Sequence, residues 1–218
     1  MRKYFWIFLA TALFLMALAI FFICQQRLNH NFNQTRERLM LIASNAALSI
    51  DAREVEKIFL DQSSEGTPEY MVVYEKLLKI KEANPLIVKY VYIMTTTDQP
   101  YVLQYVVDAN PTPDIITARC PTSLPGDKYD ASQLPELLNA YNRPSADKKI
   151  TTDVWGSFIS GYAPIRDTEG KAVAILGVDS DAARIKIMQK NIKTAEMGVW
   201  LMGLLFFISF LTLIKFEI

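Results

Sequence analysis

Two long uncharged runs, one near each end, constrain this chain more than any other feature. The first covers residues 4–24 and the second covers residues 197–214, and neither contains a charged residue. About 20 helical residues are needed to cross the hydrocarbon core of a bilayer. Arg2 and Lys3 precede the first run and Lys215 follows the second, as is typical of cytoplasmic ends. The runs therefore predict two transmembrane helices whose outer ends share the cytoplasmic side.

Each run also has a competing interpretation. A cleaved signal peptide has a shorter apolar core, roughly 7–15 residues, and ends in a small-x-small motif, whereas residues 21–26 read Phe-Phe-Ile-Cys-Gln-Gln. A buried core helix carries a polar stripe, whereas the second run offers only Ser209 and Thr212. Basic residues also lie on the inner side of both runs, but long domains cross a membrane largely regardless of their charge.

The anchor interpretation fixes a domain order and a location. We expect a cytoplasmic N-terminus at residues 1–3, transmembrane helices at 4–24 and 197–214, an extracytoplasmic domain with a helical stalk at 25–196, and a cytoplasmic tail at 215–218. The protein is thus predicted to be a two-pass protein of the inner (plasma) membrane.

Composition excludes several classes of function. The 23 basic and 23 acidic residues cancel, which removes the positive surface expected of a nucleic-acid binder. Two cysteines and one histidine are too few for a zinc cluster. That histidine, His30, lies in the predicted stalk, so it cannot serve a hydrolase triad, and no glycine-rich phosphate loop is present. We therefore predict no enzymatic activity, no cofactor and no metal.

Four carboxylates in one loop leave a single alternative open for metal binding. Their spacing does not follow a calcium-loop pattern, but an ion at this loop remains an alternative. These residues are Asp108, Asp114, Asp127 and Asp130.

The middle of the chain begins with helical patterns. A helix is predicted over residues 25–48, because it lacks glycine and proline and carries one apolar stripe. Asp51 and Glu54 have the spacing of a capping box before a short helix to about Leu60. Thr67 followed by proline predicts the start of a helix that ends near Glu82. The apolar stripe consists of Leu28, Phe32, Leu39, Ile42, Ala43 and Ala46.

The hydrophobic period then changes to two, which is typical of strands. One hairpin is predicted over residues 88–108 and a second over residues 157–179, with a short helix over 132–141 between them. Asp181 is expected to cap a helix that continues without a break to Ile214. The prediction is an α+β domain: an antiparallel sheet of four or five strands with a long N-terminal helix.

The second hairpin resembles a known family. Residues 154–179 read VWGSFISGYAPIRDTEGKAVAILGVD, with a tryptophan before the strand, Tyr-Ala-Pro, Asp-x-x-Gly-Lys and Gly-Val-Asp. This pattern resembles the C-terminal hairpin of bacterial extracytoplasmic Cache (PDC, PAS-like) sensor domains. The Lys-Tyr-Val-Tyr hairpin and Val-Val-Asp108-Ala look like the middle strands of that fold. The resemblance covers about residues 28–185.

The resemblance implies a PAS-like sheet with a ligand pocket on one face, a helical dimer interface and signalling across the membrane. Such sensors usually continue into a HAMP region, a kinase, a cyclase or a methyl-accepting domain. Here only residues 215–218 follow the second run. The chain is therefore expected either to be a fragment or to act through a partner.

Strand alternation selects the candidate ligand-binding residues. Phe158, Ser160 and Tyr162 share one face of their strand. Asp179 ends an apolar run, and is either a counter-charge for a cationic or amine-bearing ligand, which the family resemblance supports, or a helix cap. The predicted ligand contacts are Asp179, Trp155, Tyr162, Ser160, Tyr92 and Asp108.

Two of these candidates also have alternative interpretations. Trp155 and Tyr162 would wall the site with apolar faces and polar tips, or they pack in the core. Asp108 is either a ligand contact or the cap of a turn at Asn110–Pro111.

Two functions follow from these patterns. The first is a sensor module that binds a small polar molecule and transmits a conformational signal through its transmembrane helices. The alternative is an accessory or structural membrane subunit whose Cache-like domain binds a partner protein. The expected partners are an unidentified small molecule, the membrane, and a signalling protein or a second copy paired along the stripe between Leu28 and Ala46. Nucleic acid is not expected.

Overall fold

The structure is a computed structural model that describes residues 2–109, 123–153 and 155–215. Within them, the side chains of residues 2–4, 6, 7, 9, 10, 13, 184 and 205–215 are not described. Two compact units are present: residues 33–183, and a second unit from the residues before Asn33 and after Ala183. The helices are α1 (Arg2–Ser49), α2 (Ala52–Glu56), α3 (Pro68–Ala83), α4 (Pro135–Asn139) and α5 (Ala183–Lys215). The strands are β1 (Tyr90–Thr96), β2 (Val102–Asp108), β3 (Lys128–Asp130), β4 (Ser145–Ala146), β5 (Thr151–Asp153), β6 (Gly156–Arg166) and β7 (Ala172–Asp181).

Both long helices predicted from the sequence are confirmed. Helix α1 is continuous over 48 residues and α5 over 33 residues. In the smaller unit the two helices approach closely at Gly203. A methyl group built at that residue would lie 3.2 Å from the Phe14 ring. Counting only described residues and side chains, no helix offers a stretch both long and apolar enough to cross a membrane.

The short helices begin where the capping residues predict. The Asp51 carboxylate accepts from the Arg53 backbone N–H at 2.9 Å, and α3 starts directly after its cap, Thr67. Helix α2 ends at Glu56, earlier than expected. The Glu54 carboxylate forms an ion pair with Lys76 on α3, so it ties the two helices together.

The sheet of the larger unit is antiparallel, as predicted, and contains both hairpins. Its strand order is β3-β2-β1-β7-β6-β4, and β5 pairs with the first residues of β6, Gly156–Phe158. The described residues form seven strands, more than the four or five expected. The additional strands are β3, β4 and β5, which are only two or three residues long. Such short strands show no period of their own, and they form by pairing with β2 and β6.

Helix α1 packs against one face of this sheet at Gly161. A Cβ at that position would lie 2.4 Å from the Leu39 carbonyl carbon, so only glycine allows this close approach. Leu39 and Ala43 are fully buried, and Leu28 and Ala46 are nearly so. The prediction that two copies pair along this stripe is therefore wrong at Leu39, Ala43 and Ala46, which are already covered within the chain, whereas Phe32 and Ile42 are only half-buried. A dimer through another surface stays a prediction.

Candidate ligand-binding cavity

The other face of the sheet carries a row of polar and aromatic side chains. In the register of the ladder, Asp179 on β7 lies opposite Ser160 on β6 and opposite Tyr90 on β1. Residues two apart along a strand point the same way, so Tyr92 and Tyr162 extend the same face. Gly177 lies between those two tyrosines, and a Cβ there would come within 2.4 Å of the Tyr92 ring. The glycine therefore makes room for Tyr92.

These side chains line one cavity. Its wall includes all six predicted ligand contacts, Asp179, Trp155, Tyr162, Ser160, Tyr92 and Asp108. Their role in binding stays a prediction. The centres of water-sized molecules can occupy about 40 Å³ of the cavity, and one water needs roughly 10–15 Å³ by that measure. A larger occupant therefore requires the wall to move outward.

Asp179 is a buried carboxylate at the cavity wall. It is 8% exposed, and its Oδ1 accepts from the Tyr92 hydroxyl at 3.0 Å. Burial raises the pKa of Asp179 to about 7. Hydrogen bonds from Ser160 and Tyr92 lower this pKa, and the neighbouring carboxylates Asp147 and Asp153 raise it. The interpretation of Asp179 as a helix cap is wrong. Asp181 performs that role, as its carboxylate accepts from the Ala183 N–H at 2.8 Å.

Asp147 is a second buried carboxylate, which the sequence patterns do not predict as a site residue. It follows β4, is 3% exposed, and accepts from the Tyr162 hydroxyl at 3.1 Å and from the Ser160 N–H at 3.2 Å. Burial raises its pKa to about 6. It lies behind the cavity wall, because both of its donors line the cavity. No local pattern could have selected it, because β4 has only two residues.

Helix α1 contacts the segment that holds Asp147. The Arg36 Nε–H donates to the Asp147 carbonyl oxygen, and the second guanidinium nitrogen donates to the Ala146 carbonyl at 3.1 Å. The guanidinium therefore joins α1 to the strand that positions this buried carboxylate.

Asp108 and Trp155 form another part of the wall. Asp108 is 3% exposed, and its carboxylate accepts from the Ser123 N–H at 3.2 Å. The predicted turn at residues 110–111 lies outside the described residues. The Trp155 backbone N–H donates to the Asp153 carboxylate at 2.9 Å, which holds the tryptophan next to the start of β6.

Aromatic rings surround the remaining space in a connected series. Ring centroids are 5.8 Å apart for Tyr92 and Tyr105, 6.2 Å for Tyr105 and Tyr129, and 6.3 Å for Tyr129 and Trp155. Tyr162 is 2% exposed and also belongs to the hydrophobic cluster under α4. Core packing and cavity lining are thus not exclusive for Tyr162.

The acidic loop has ordinary partners where it is described. The Asp127 carboxylate accepts from the Leu124 N–H at 2.8 Å, and the Asp130 carboxylate accepts from the Ser132 N–H at 2.9 Å. Asp114 lies outside the described residues. Among the described residues, no group of three or more His, Cys, Asp or Glu side chains is placed to hold a metal ion.

Comparison with known proteins identifies the fold. No protein-family model matches the chain, and no curated protein matches it. Among solved structures, the sensor domain of the V. cholerae histidine kinase DctB is similar at 12% identity and a TM-score of 0.52, covering 82% of this chain and 59% of that one. The ligand-binding domain of the Campylobacter jejuni chemoreceptor Tlp3, in complex with L-valine, matches at 10% identity and a TM-score of 0.50, covering 82% and 63%.

This chain therefore spans less than two thirds of either structure. At such identities the likeness concerns the fold alone. The fold is that of bacterial Cache/PDC-like sensor domains, as the hairpin resemblance predicted.

Proposed function

We propose that this chain is a membrane-anchored, extracytoplasmic sensor module that binds a small polar ligand and passes a conformational signal to its terminal helices. One observation carries the proposal: a buried carboxylate, Asp179, faces an aromatic-lined cavity and pairs with no cationic side chain of the described residues. Unpaired buried charge is costly, and perturbed carboxylates in clefts mark functional sites more often than chance.

The solved structures support this proposal by analogy. One is the sensor domain of a histidine kinase, and another is a chemoreceptor domain in complex with L-valine. By analogy, this chain would bind a small molecule in the cavity on one face of its sheet.

Arg36 provides a route for the signal from the cavity to α1. An occupant larger than a few waters displaces Tyr162 or Ser160, which hold Asp147, and the segment at Asp147 is joined to α1 by Arg36. Movement of the wall would therefore bias the position of α1. A ligand can shift this equilibrium only by its difference in affinity for the two arrangements.

The membrane part of the proposal rests on the uncharged runs at residues 4–24 and 197–214. To test it, the two native cysteines are replaced by serine, and Glu169→Cys is introduced in the exposed turn between β6 and β7. A membrane-impermeant maleimide should label Glu169→Cys on intact cells and Lys3→Cys only after permeabilisation. The reverse pattern would invert the orientation, and recovery of the chain without membranes would exclude the anchor.

Ligand binding is tested by thermal unfolding of the full chain with amino acids, organic acids, amines and purines. A compound at 100 times its Kd should stabilise the chain by about 2.7 kcal/mol. Asp179→Asn should reduce that stabilisation, whereas Asp98→Asn, an exposed carboxylate in the β1–β2 turn, should not. If no compound stabilises the wild-type chain, ligand sensing is wrong.

The second candidate is an accessory subunit whose domain binds a partner protein. The small free space of about 40 Å³ in the cavity favours it. A failed ligand screen, together with stabilisation by a co-purified membrane protein, would support this candidate over the sensor.

A further inference from the structure

Helix α5 has a half-buried face and an exposed face. Ile192, Glu196, Val199 and Gly203 recur every three or four residues and are half-buried, and Gly203 is where α5 approaches α1. This spacing places the four residues on one side of the helix. Another side of α5 is exposed, and it carries two lysines.

This exposed side changes from basic to apolar along the helix. Lys190 and Lys193 are followed at helical spacing by Met197, Trp200 and Leu204, and all five side chains are exposed. The two lysines and Met197 line one shallow groove on this side. The change falls at residue 197, where the second uncharged run begins. A tryptophan close to such a boundary is typical of a membrane–water interface.

Helix α1 places another basic residue at the same level. The chain passes from α1 into residues 33–183 and returns through α5, so the two helices run antiparallel. Arg27 and Lys190 each lie 13 residues from the contact between Phe14 and Gly203, and equal helical rise puts both about 20 Å from it. Arg27 is also exposed and lies just beyond the first uncharged run. These residues form a basic collar that consists of Arg27, Lys190 and Lys193.

Neither helix supplies a counter-charge next to the basic collar. Residues 25–36 and 183–195 hold six basic residues and no acidic residue, although the whole chain has 23 of each. No ion pair of the described residues involves the basic collar. Lys186, which continues the row on α5, does interact within the chain. The basic collar is therefore open to an anionic partner.

We propose that the basic collar binds the headgroups of anionic phospholipids at the membrane interface. Two observations favour this occupant, namely the opposite charge of the headgroups and the direct continuity of the collar with both uncharged runs. Basic side chains beside a membrane are attracted to anionic lipids, and a lysine can lay its stem along apolar surface while its charge reaches the headgroups. This inference rests on the proposed membrane anchor and names the lipid class that the anchor prefers.

The lipid preference is measured with the full chain carrying Trp6→Phe, so that Trp200 reports on lipids next to the collar. Trp200 is 74% exposed. The chain is reconstituted into vesicles with equal amounts of phosphatidylglycerol and phosphatidylcholine, and brominated acyl chains are placed on one lipid or the other. Bromine quenches tryptophan fluorescence only at close range. At about 50 mM salt, we expect phosphatidylglycerol to be preferred next to Trp200 by about fivefold. At about 0.5 M salt the preference should fall towards one, because salt screens exposed charges.

Variants identify the residues that hold the headgroups. Lys190→Gln combined with Lys193→Gln should reduce the preference to about twofold or less, and addition of Arg27→Gln should abolish it. Lys128→Gln combined with Lys171→Gln removes two exposed lysines of the larger unit, so this matched control should leave the preference unchanged. Glutamine is nearly as good a helix former as lysine, and circular dichroism verifies that the helices persist.

Several results would overturn the inference. Equal quenching by the two brominated lipids would refute a preference for anionic headgroups, and a preference that survives all three substitutions would refute the basic collar as its site. A preference abolished by inorganic phosphate at constant ionic strength would indicate a site for a soluble anion instead. If the chain does not float with the vesicles, the proposed membrane anchor fails together with the inference, whereas flotation with equal quenching refutes the lipid preference alone.

Discussion

The two faces of the β6–β7 hairpin differ sharply although they are built from alternate residues of the same strands. On the helical side, Ile159, Ala163 and Leu176 are almost completely buried and apolar, and Gly161 lies against the α1 backbone. On the other side, Ser160, Tyr162 and Asp179 are equally buried but polar. Burial alone therefore does not distinguish the two faces, whereas polarity does.

The difference indicates a division of roles. Close apolar packing stabilises the domain, and a change of one methylene group is felt there. The cavity face instead holds buried carboxylates whose pKa values are raised by desolvation, so their ionised forms oppose folding. We infer that the helical face contributes the stability that offsets the cost of the buried carboxylates on the opposite face.

The largest expected effect comes from the helical face. Leu39→Ala should lower the free energy of unfolding by about 2–5 kcal/mol, because it removes a fully buried side chain from the contact between α1 and β6. Leu48→Ala is the matched control on the same helix. Leu48 is 87% exposed, and its loss should change stability by less than about 0.5 kcal/mol. If both variants lost the same free energy of unfolding in denaturant, Leu39 would not be part of a stabilising contact between α1 and the sheet.

The second prediction concerns the cavity face, where a substitution should stabilise the chain rather than destabilise it. The folded-state pKa of Asp179 is raised from 3.8 to about 7, so its protonated form favours folding. Its contribution to stability is complete below about pH 4 and is lost as the pH rises through 7. Asp179→Asn should therefore stabilise the chain at pH 8, by at most about 4 kcal/mol, and this gain should vanish near pH 4.

Several other titratable groups face Asp179 and must be held constant in that comparison. They are Asp147, Asp153, Tyr92, Tyr162, Tyr105 and Tyr129. Unfolding of both chains at each pH measures the difference, in which the other groups largely cancel. A variant that is less stable than the wild type at pH 8 would show that Asp179 is a stabilising hydrogen-bond acceptor instead.

The third prediction concerns the carboxylate behind the wall. Tyr162→Phe removes the hydroxyl that donates to Asp147 at 3.1 Å, which should cost about 1.5–3 kcal/mol while Asp147 is ionised. The pKa of Asp147 is about 6, so the loss should be larger at pH 8 than at pH 5. Tyr101→Phe, at a residue 62% exposed, should show no such pH dependence. A loss that is equal at both pH values would mean that the hydroxyl does not act through Asp147.

Much of the cavity face could be predicted because β6 is regular. Alternation assigned Phe158, Ser160 and Tyr162 to one face, and all three line the cavity. Asp179 stands out in the sequence because it ends an apolar strand, and the pairing of β6 with β7 brings it opposite Ser160. In a regular strand, side chains two residues apart lie on the same face, so the sequence alone determines which residues share that face.

The parts that could not be predicted depend on contacts between distant residues. Asp147 follows a two-residue strand whose existence depends on pairing with β6. The apolar stripe of α1 predicts a buried face, but periodicity does not show whether a second copy or the chain itself covers it. The surface that covers the stripe includes Gly161, which packs against α1. Glycine has no side chain, so the hydrophobic pattern of β6 does not reveal this contact.

The smallest effect is expected where the two faces are joined. The Arg36 guanidinium reaches the carbonyl oxygens of both Asp147 and Ala146, whereas a lysine ammonium lacks the planar fork needed for two such bonds. Arg36→Lys should therefore cost about 1 kcal/mol and speed amide exchange at Asp147. Arg38→Lys, an exposed neighbour on α1, should change neither quantity. Identical behaviour of the two variants would show that Arg36 does not connect α1 to the cavity, and the proposed signal route would then require another contact.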